Sequence, residues 1–104
     1  MQQYQGDIGI IEIQDCQLKF SALPTGGVIV AEGEVTGHKH VIVAEPDSLV
    51  EIAQDERGYF LKVNKGQAVM QHVQHGVQTI ERGLWFIPRQ VEFDEGLEYR
   101  NVSD

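Results

Sequence analysis

Short runs of branched apolar residues, each cut off by glycine, proline or an acidic stretch, set the pattern of this chain. Ile8-Gly9-Ile10-Ile11-Glu12-Ile13 is rich in branched side chains and too short for a buried helix, so it predicts a strand. Gln17-Leu18-Lys19-Phe20 predicts another, stopped by the turn residues Leu23-Pro24-Thr25-Gly26-Gly27. Val28 opens a long extended stretch that reaches Val43 and ends at Glu45-Pro46-Asp47-Ser48, where proline sets a turn. Leu49 to Ala53 gives a short strand or one turn of helix, followed by a loop from Gln54 to Gly58. Tyr59 to Val63 is a strand closed by Asn64-Lys65-Gly66, and further strands are expected at Ala68 to His72, Gln78 to Ile80, Leu84 to Ile87 and Gln90 to Phe93.

Roughly eight short strands between glycine, proline or acidic turns argue for an antiparallel arrangement. Nowhere does a window of helical length keep a 3.6-residue apolar period. The prediction is a single all-β domain over residues 1–104, a small antiparallel barrel or sandwich, with 1–5 and 99–104 fraying. Trp85 and Phe86 lie in an apolar run and are assigned to the core.

Charge and composition narrow the function classes. Sixteen acidic residues against eight basic ones give a formal net charge of −8. The basic residues form no stripe, which argues against a nucleic-acid partner. No apolar run approaches the ~20 residues of a membrane helix. The amino terminus lacks the basic-then-apolar order of a signal peptide, so a cytoplasmic location is expected. The single cysteine, Cys16, excludes an internal disulfide and has no basic neighbour in sequence to activate it as a nucleophile. Gly26-Gly27 and Gly37 are followed by no lysine or helix start at phosphate-loop spacing, and no organic cofactor is indicated. Exposed strand edges favour a homodimer or higher homo-oligomer.

The candidate chemistry lies in the histidines. All four come as two tight pairs, His38-Lys39-His40 and His72-Val73-Gln74-His75. Side chains two apart on a strand share a face, so His38 and His40 point the same way. On a regular strand from Glu32 onward that face also carries Glu32, Glu34 and Thr36, while Lys39, Val41 and Val43 take the other. Such a polar face either meets solvent, as in many half-exposed sheets, or points into a cavity that needs a ligand. Glu32 and Glu34 allow a general acid and base pair in such a cleft, although solvated strand carboxylates are the commoner case. His72 and His75 fall on opposite faces of an ideal strand, but Gly76 marks a chain reversal that can bring both imidazoles to one side. Neutral imidazoles in threes or fours suit a divalent transition metal such as zinc, iron, manganese or nickel.

Gly33, His38-Lys39-His40 and Glu45 resemble the first motif of the cupins, a family of jelly-roll barrels in which two histidines and a glutamate ligate a metal. That resemblance implies Glu45 as a further ligand. The glycine before His38 sits one residue too near, a later motif glycine falls on Ile52, and the second motif lacks its proline and asparagine around His72. Over nearly the full length, the chain resembles a set of small uncharacterised bacterial proteins. The resemblance rests on Gly6-Asp7-Ile8, Leu23-Pro24, Ala31-Glu32-Gly33-Glu34-Val35-Thr36-Gly37-His38-Lys39-His40, the His72–His75 pair and Gln90-Val91-Glu92-Phe93. It implies a recurring architecture and carries no activity.

The sequence therefore predicts a small β domain that holds a divalent metal or a polar small ligand through His38, His40, His72 and His75, with Glu34, Thr36 and Glu45 as pocket candidates. The alternative is a non-catalytic binding or assembly domain, dimeric through its strands, whose histidines hold no metal. A third reading is an interface switched by histidine protonation near neutral pH. No residue pattern identifies a reaction.

Overall fold

A computed structural model describes residues 2–5, 8–32, 39–72, 76–89, 91–93 and 99–101. Twelve strands are present among them, and no helix. They are β1 (Gln2–Gln5), β2 (Ile8–Glu12), β3 (Ser21–Ala22), β4 (Val28–Glu32), β5 (Lys39–Ala44), β6 (Leu49–Asp55), β7 (Gly58–Lys65), β8 (Ala68–His72), β9 (Gly76–Ile80), β10 (Gly83–Pro88), β11 (Val91–Phe93) and β12 (Tyr99–Asn101). With no helix in the described residues, none is long and apolar enough to cross a membrane.

The strands form two antiparallel sheets, ordered β1-β2-β10-β7-β6-β3 and β4-β5-β8-β9, with β11 and β12 paired only to each other. The all-β expectation holds. Of its two architectures, the described strands make open sheets and close no barrel. Chain direction alternates between the sheets: β4–β5, β6–β7 and β8–β9 are hairpins, and the connections at Glu45–Ser48, Gly66–Gln67 and Glu81–Arg82 each carry the chain across. Alternating side chains from both sheets fill the space between them. Ile8, Ile10, Leu61, Val63, Trp85 and Ile87 come from the larger sheet, and Ile42, Ala68, Met70 and Ile80 from the smaller. Full burial of each large aliphatic residue is worth about 1.5–3 kcal/mol.

Three expectations are corrected. The stretch from Val28 to Val43 is not one strand but two antiparallel ones, with Glu32 paired to Lys39 and the chain reversing between them. A continuous polar face running from Glu32 to His40 is therefore ruled out. Gln17–Phe20 forms no strand, because this segment runs across strands instead of along one. Ile13 N donates to Leu84 O at 2.9 Å, the Lys62 ammonium sits 4.4 Å from the Phe20 ring centre, and Ser21 pairs with Ile52. It thus passes over β10, β7 and β6 in turn.

Trp85 and Phe86 point to opposite faces: Trp85 enters the core, whereas Phe86 stacks on Phe60 at 4.7 Å on the outer side of the larger sheet. Gln2–Gln5 pairs along its length with β2, and Tyr99–Asn101 pairs with β11. Residues 102–104 lie outside the described part.

Candidate functional site

Strands β5 and β8 lie side by side in the smaller sheet, with Val41 opposite Gln71 and Ile42 opposite Met70. One further step in the same register sets His40 opposite His72. Partners across a ladder share a face. Here that face is the interior one, since Ile42, Ala68 and Met70 are fully buried, His40 is 0% exposed and His72 is 5% exposed. The two rings stack with centroids 4.0 Å apart and planes inclined by 27°. Nε2 of each ring is shielded from solvent. Both histidines also make further interactions.

Of the two readings of a polar strand face, His40 and His72 thus follow the inward one. Lys39 and Gln71 take the solvent side. Burial disfavours a charged imidazole, and a metal ligand must be neutral.

The hairpin geometry behind His72 is set by Gly76. It pairs with His72 and has φ +76°, a conformation that residues with a Cβ rarely adopt. The chain reversal expected there is present, with Gly76 opposite His72 at the end of β8. His75 itself, and likewise Glu34, Thr36 and His38, lie outside the described residues. Sequence alone places His38 two residues before His40 and His75 three residues after His72.

Glu45 is not brought to the pair. The β5–β8 ladder continues to it through a bond from Glu45 N to Gln67 O of 3.0 Å, so it lies past the opposite end of β5 from His40. Five residues of strand separate them by about 16 Å. Glu45 also faces solvent, and the fourth-ligand role implied by the cupin motif has no geometric basis here. Among the described residues no three His, Cys, Asp or Glu side chains gather as a metal-holding group.

Two features escaped the sequence reading. Gln3 pairs with the core residue Ile10, and its Oε1 is shielded from solvent with no hydrogen-bond partner among the described residues. A glutamine in register with a core isoleucine is the signal, and it becomes visible only once the β1–β2 pairing is known. A shallow groove of about 320 Å³ lies between β3, β4 and β6, lined by Lys19, Ser21, Val28, Ile52 and Tyr59 among others, and includes none of the histidines. Cys16 is half-buried, and Arg57 lies within electrostatic reach of it although 41 positions away.

No curated protein and no solved structure matches the chain. The model of a domain of unknown function, DUF8820, matches residues 4–90, a span that holds all four histidines and strands β2 to β10, and the chain belongs to that family.

Proposed function

We propose that this domain binds a divalent transition metal at the His40–His72 pair, with His38 and His75 completing a nitrogen ligand set. One observation carries the reading: two imidazoles are buried and stacked 4.0 Å apart on adjacent strands. Each belongs to a tight histidine pair in the sequence. Stacked, interior imidazoles are uncommon as core filling, because each ring takes two polar nitrogens out of water. Zinc, iron, manganese and nickel all accept such ligands. With one coordination position left open, the metal would polarise a bound oxygen or activate water. With four protein ligands it would instead staple the β4–β5 and β8–β9 ends of the smaller sheet.

The test is metal content by mass spectrometry after purification without chelator, then after loading with each of the four metals. About one metal per chain is expected, with a rise in melting temperature on loading. Substitutions His38→Ala and His75→Ala, with His40→Gln and His72→Gln checked for fold by circular dichroism, should each lower affinity at least tenfold. Folded protein that takes up none of the four metals would sink the proposal, as would uptake unaffected by all four substitutions.

A further inference from the structure

A second apolar cluster lies on the outer face of the larger sheet, beyond the reach of the main core. Phe60 and Ala53 stand opposite each other on β7 and β6, and their neighbours Leu61 and Ile52 face the space between the sheets, so this pair faces outward. Yet Phe60 is only 4% exposed and Ala53 8%, and neither belongs to the cluster between the sheets. Phe86 stacks on Phe60 at 4.7 Å, and the Arg57 guanidinium lies 5.0 Å from the same ring centre. The segment that crosses above β10, β7 and β6 completes the cover. Its Cys16, Leu18 and Phe20 are half-buried, alternating with exposed Gln17 and Lys19, and Phe20 meets Lys62.

This cover is held differently from a strand. No backbone–backbone hydrogen bond ties 14–20 to the described sheets. Instead its polar groups turn to one another, with Cys16 N donating to Asp15 Oδ1 at 2.8 Å and Gln17 Nε2 to Asp15 Oδ2 at 3.0 Å. Attachment is confined to the ends, where Ile13 N donates to Leu84 O at 2.9 Å and the two residues of β3 pair with β6. Beyond β3 the chain is fixed again. Leu23 packs on the main cluster and donates to Val50 O at 2.9 Å, and a Cβ on Gly27 would stand 2.5 Å from Ile42 O. Few apolar side chains and few backbone bonds define a unit of low local stability.

We propose that residues 13–22 form a hinged strap that lifts as one unit while both sheets stay folded, uncovering Phe60 and Ala53. Its hinges are the end of β2 and the turn that begins at Leu23. Lifting breaks the Ile13 and β3 bonds and the Phe20–Lys62 contact together. No member of the apolar cluster between the sheets lies in 13–22, so that cluster survives the opening. The closed strap thereby withholds from solvent an aromatic face flanked by Arg57 and Lys62.

Residue-resolved amide hydrogen exchange by NMR across a series of low urea concentrations tests this. The Ile13 amide and the bonded amide of β3 should be protected, share one opening constant, and respond less steeply to urea than the amides joining β7 to β10. Ile80→Val, in the smaller sheet, should speed exchange between β7 and β10 about fivefold while changing the strap amides less than about twofold. Phe20→Ala, confirmed as folded by circular dichroism, should speed the strap amides at least about tenfold. Strap amides with the urea slope of the β7–β10 pair, or accelerated equally by Ile80→Val, would overturn the proposal. So would strap amides that are unprotected in wild type, or indifferent to Phe20→Ala.

Discussion

Replacing Gly66 and Gly76 by alanine separates two costs that glycines usually hide together. Both have similar left-handed backbones, with φ +74° and +76°. A Cβ built on Gly76 meets nothing within 4 Å, so Gly76→Ala pays only torsional strain. That strain is about 1–2 kcal/mol, partly offset by ~0.4–1 kcal/mol from a stiffer unfolded chain, for a net loss of about 1 kcal/mol. A Cβ on Gly66 would stand 2.1 Å from Ser48 Oγ and 3.0 Å from Ser48 Cα, and the second is backbone that cannot swing aside. Relieving the first contact breaks the bond from Gln67 N to Ser48 Oγ of 2.9 Å. Adding about 1 kcal/mol for that bond and ~1 kcal/mol for the forced shift gives about 3 kcal/mol for Gly66→Ala. Urea titration reads both directly. In thermal melts the losses correspond to roughly 5 and 15 °C. Ser48→Ala in the Gly66→Ala background removes the worst contact and should cost less there than in wild type. Equal losses at the two glycines would refute the steric argument.

Further outcomes follow from other parts of the fold. Asp55 accepts side-chain and backbone bonds from Arg57, which hold its carboxyl below the ordinary value of 3.8. The stabilisation is complete above that value and is lost as pH falls through the lowered one. The gap in urea midpoint between wild type and Asp55→Asn should therefore be present at neutral pH and close in acid. Gly26 has no left-handed torsion and open space around it, so Gly26→Ala should leave the melting temperature unchanged or raise it, by up to about 1 kcal/mol of stability. Asp47 is the non-glycine residue with φ +62°, at the third position of the turn closed by Ser48 N to Glu45 O, so Asp47→Gly should stabilise by a few tenths of a kcal/mol, about the residual strain. Trp85→Phe removes the bond from Nε1 to Glu81 O of 2.9 Å and part of a buried ring, and should cost about 2 kcal/mol in chemical denaturation.

Alternation and turn chemistry made much of this fold legible. The bounds of β8 and the turns at Thr25-Gly26, Pro46-Asp47 and Gly66 follow from local residues alone. What stayed hidden depends on partners distant in sequence. Between Glu32 and Lys39 the local signals are two separated glycines, Gly33 and Gly37, with no proline or adjacent glycine pair, so two strands read as one. Phe86 and Trp85 look alike as core residues until β10 is paired on both sides and each face is assigned. His40 and His72 were legible as a pair of pairs, but their inward orientation is set by the register of β5 on β8. Glu45 fitted a ligand spacing in one dimension and lies some 16 Å along the strand in three.

The order of strands also constrains how the chain can mature. The strand β2 finds its inner partner only in β10, with Ile11 beside Phe86 and Glu12 beside Trp85. During synthesis the first isoleucine-rich strand must therefore wait until nearly the whole matched domain has emerged, while the β4–β5, β6–β7 and β8–β9 hairpins form locally. Until then its apolar face and one bare edge stay exposed, a state that invites mispairing between nascent chains. A chain cut off before Gly83 would keep three intact hairpins and still be the form most prone to aggregate.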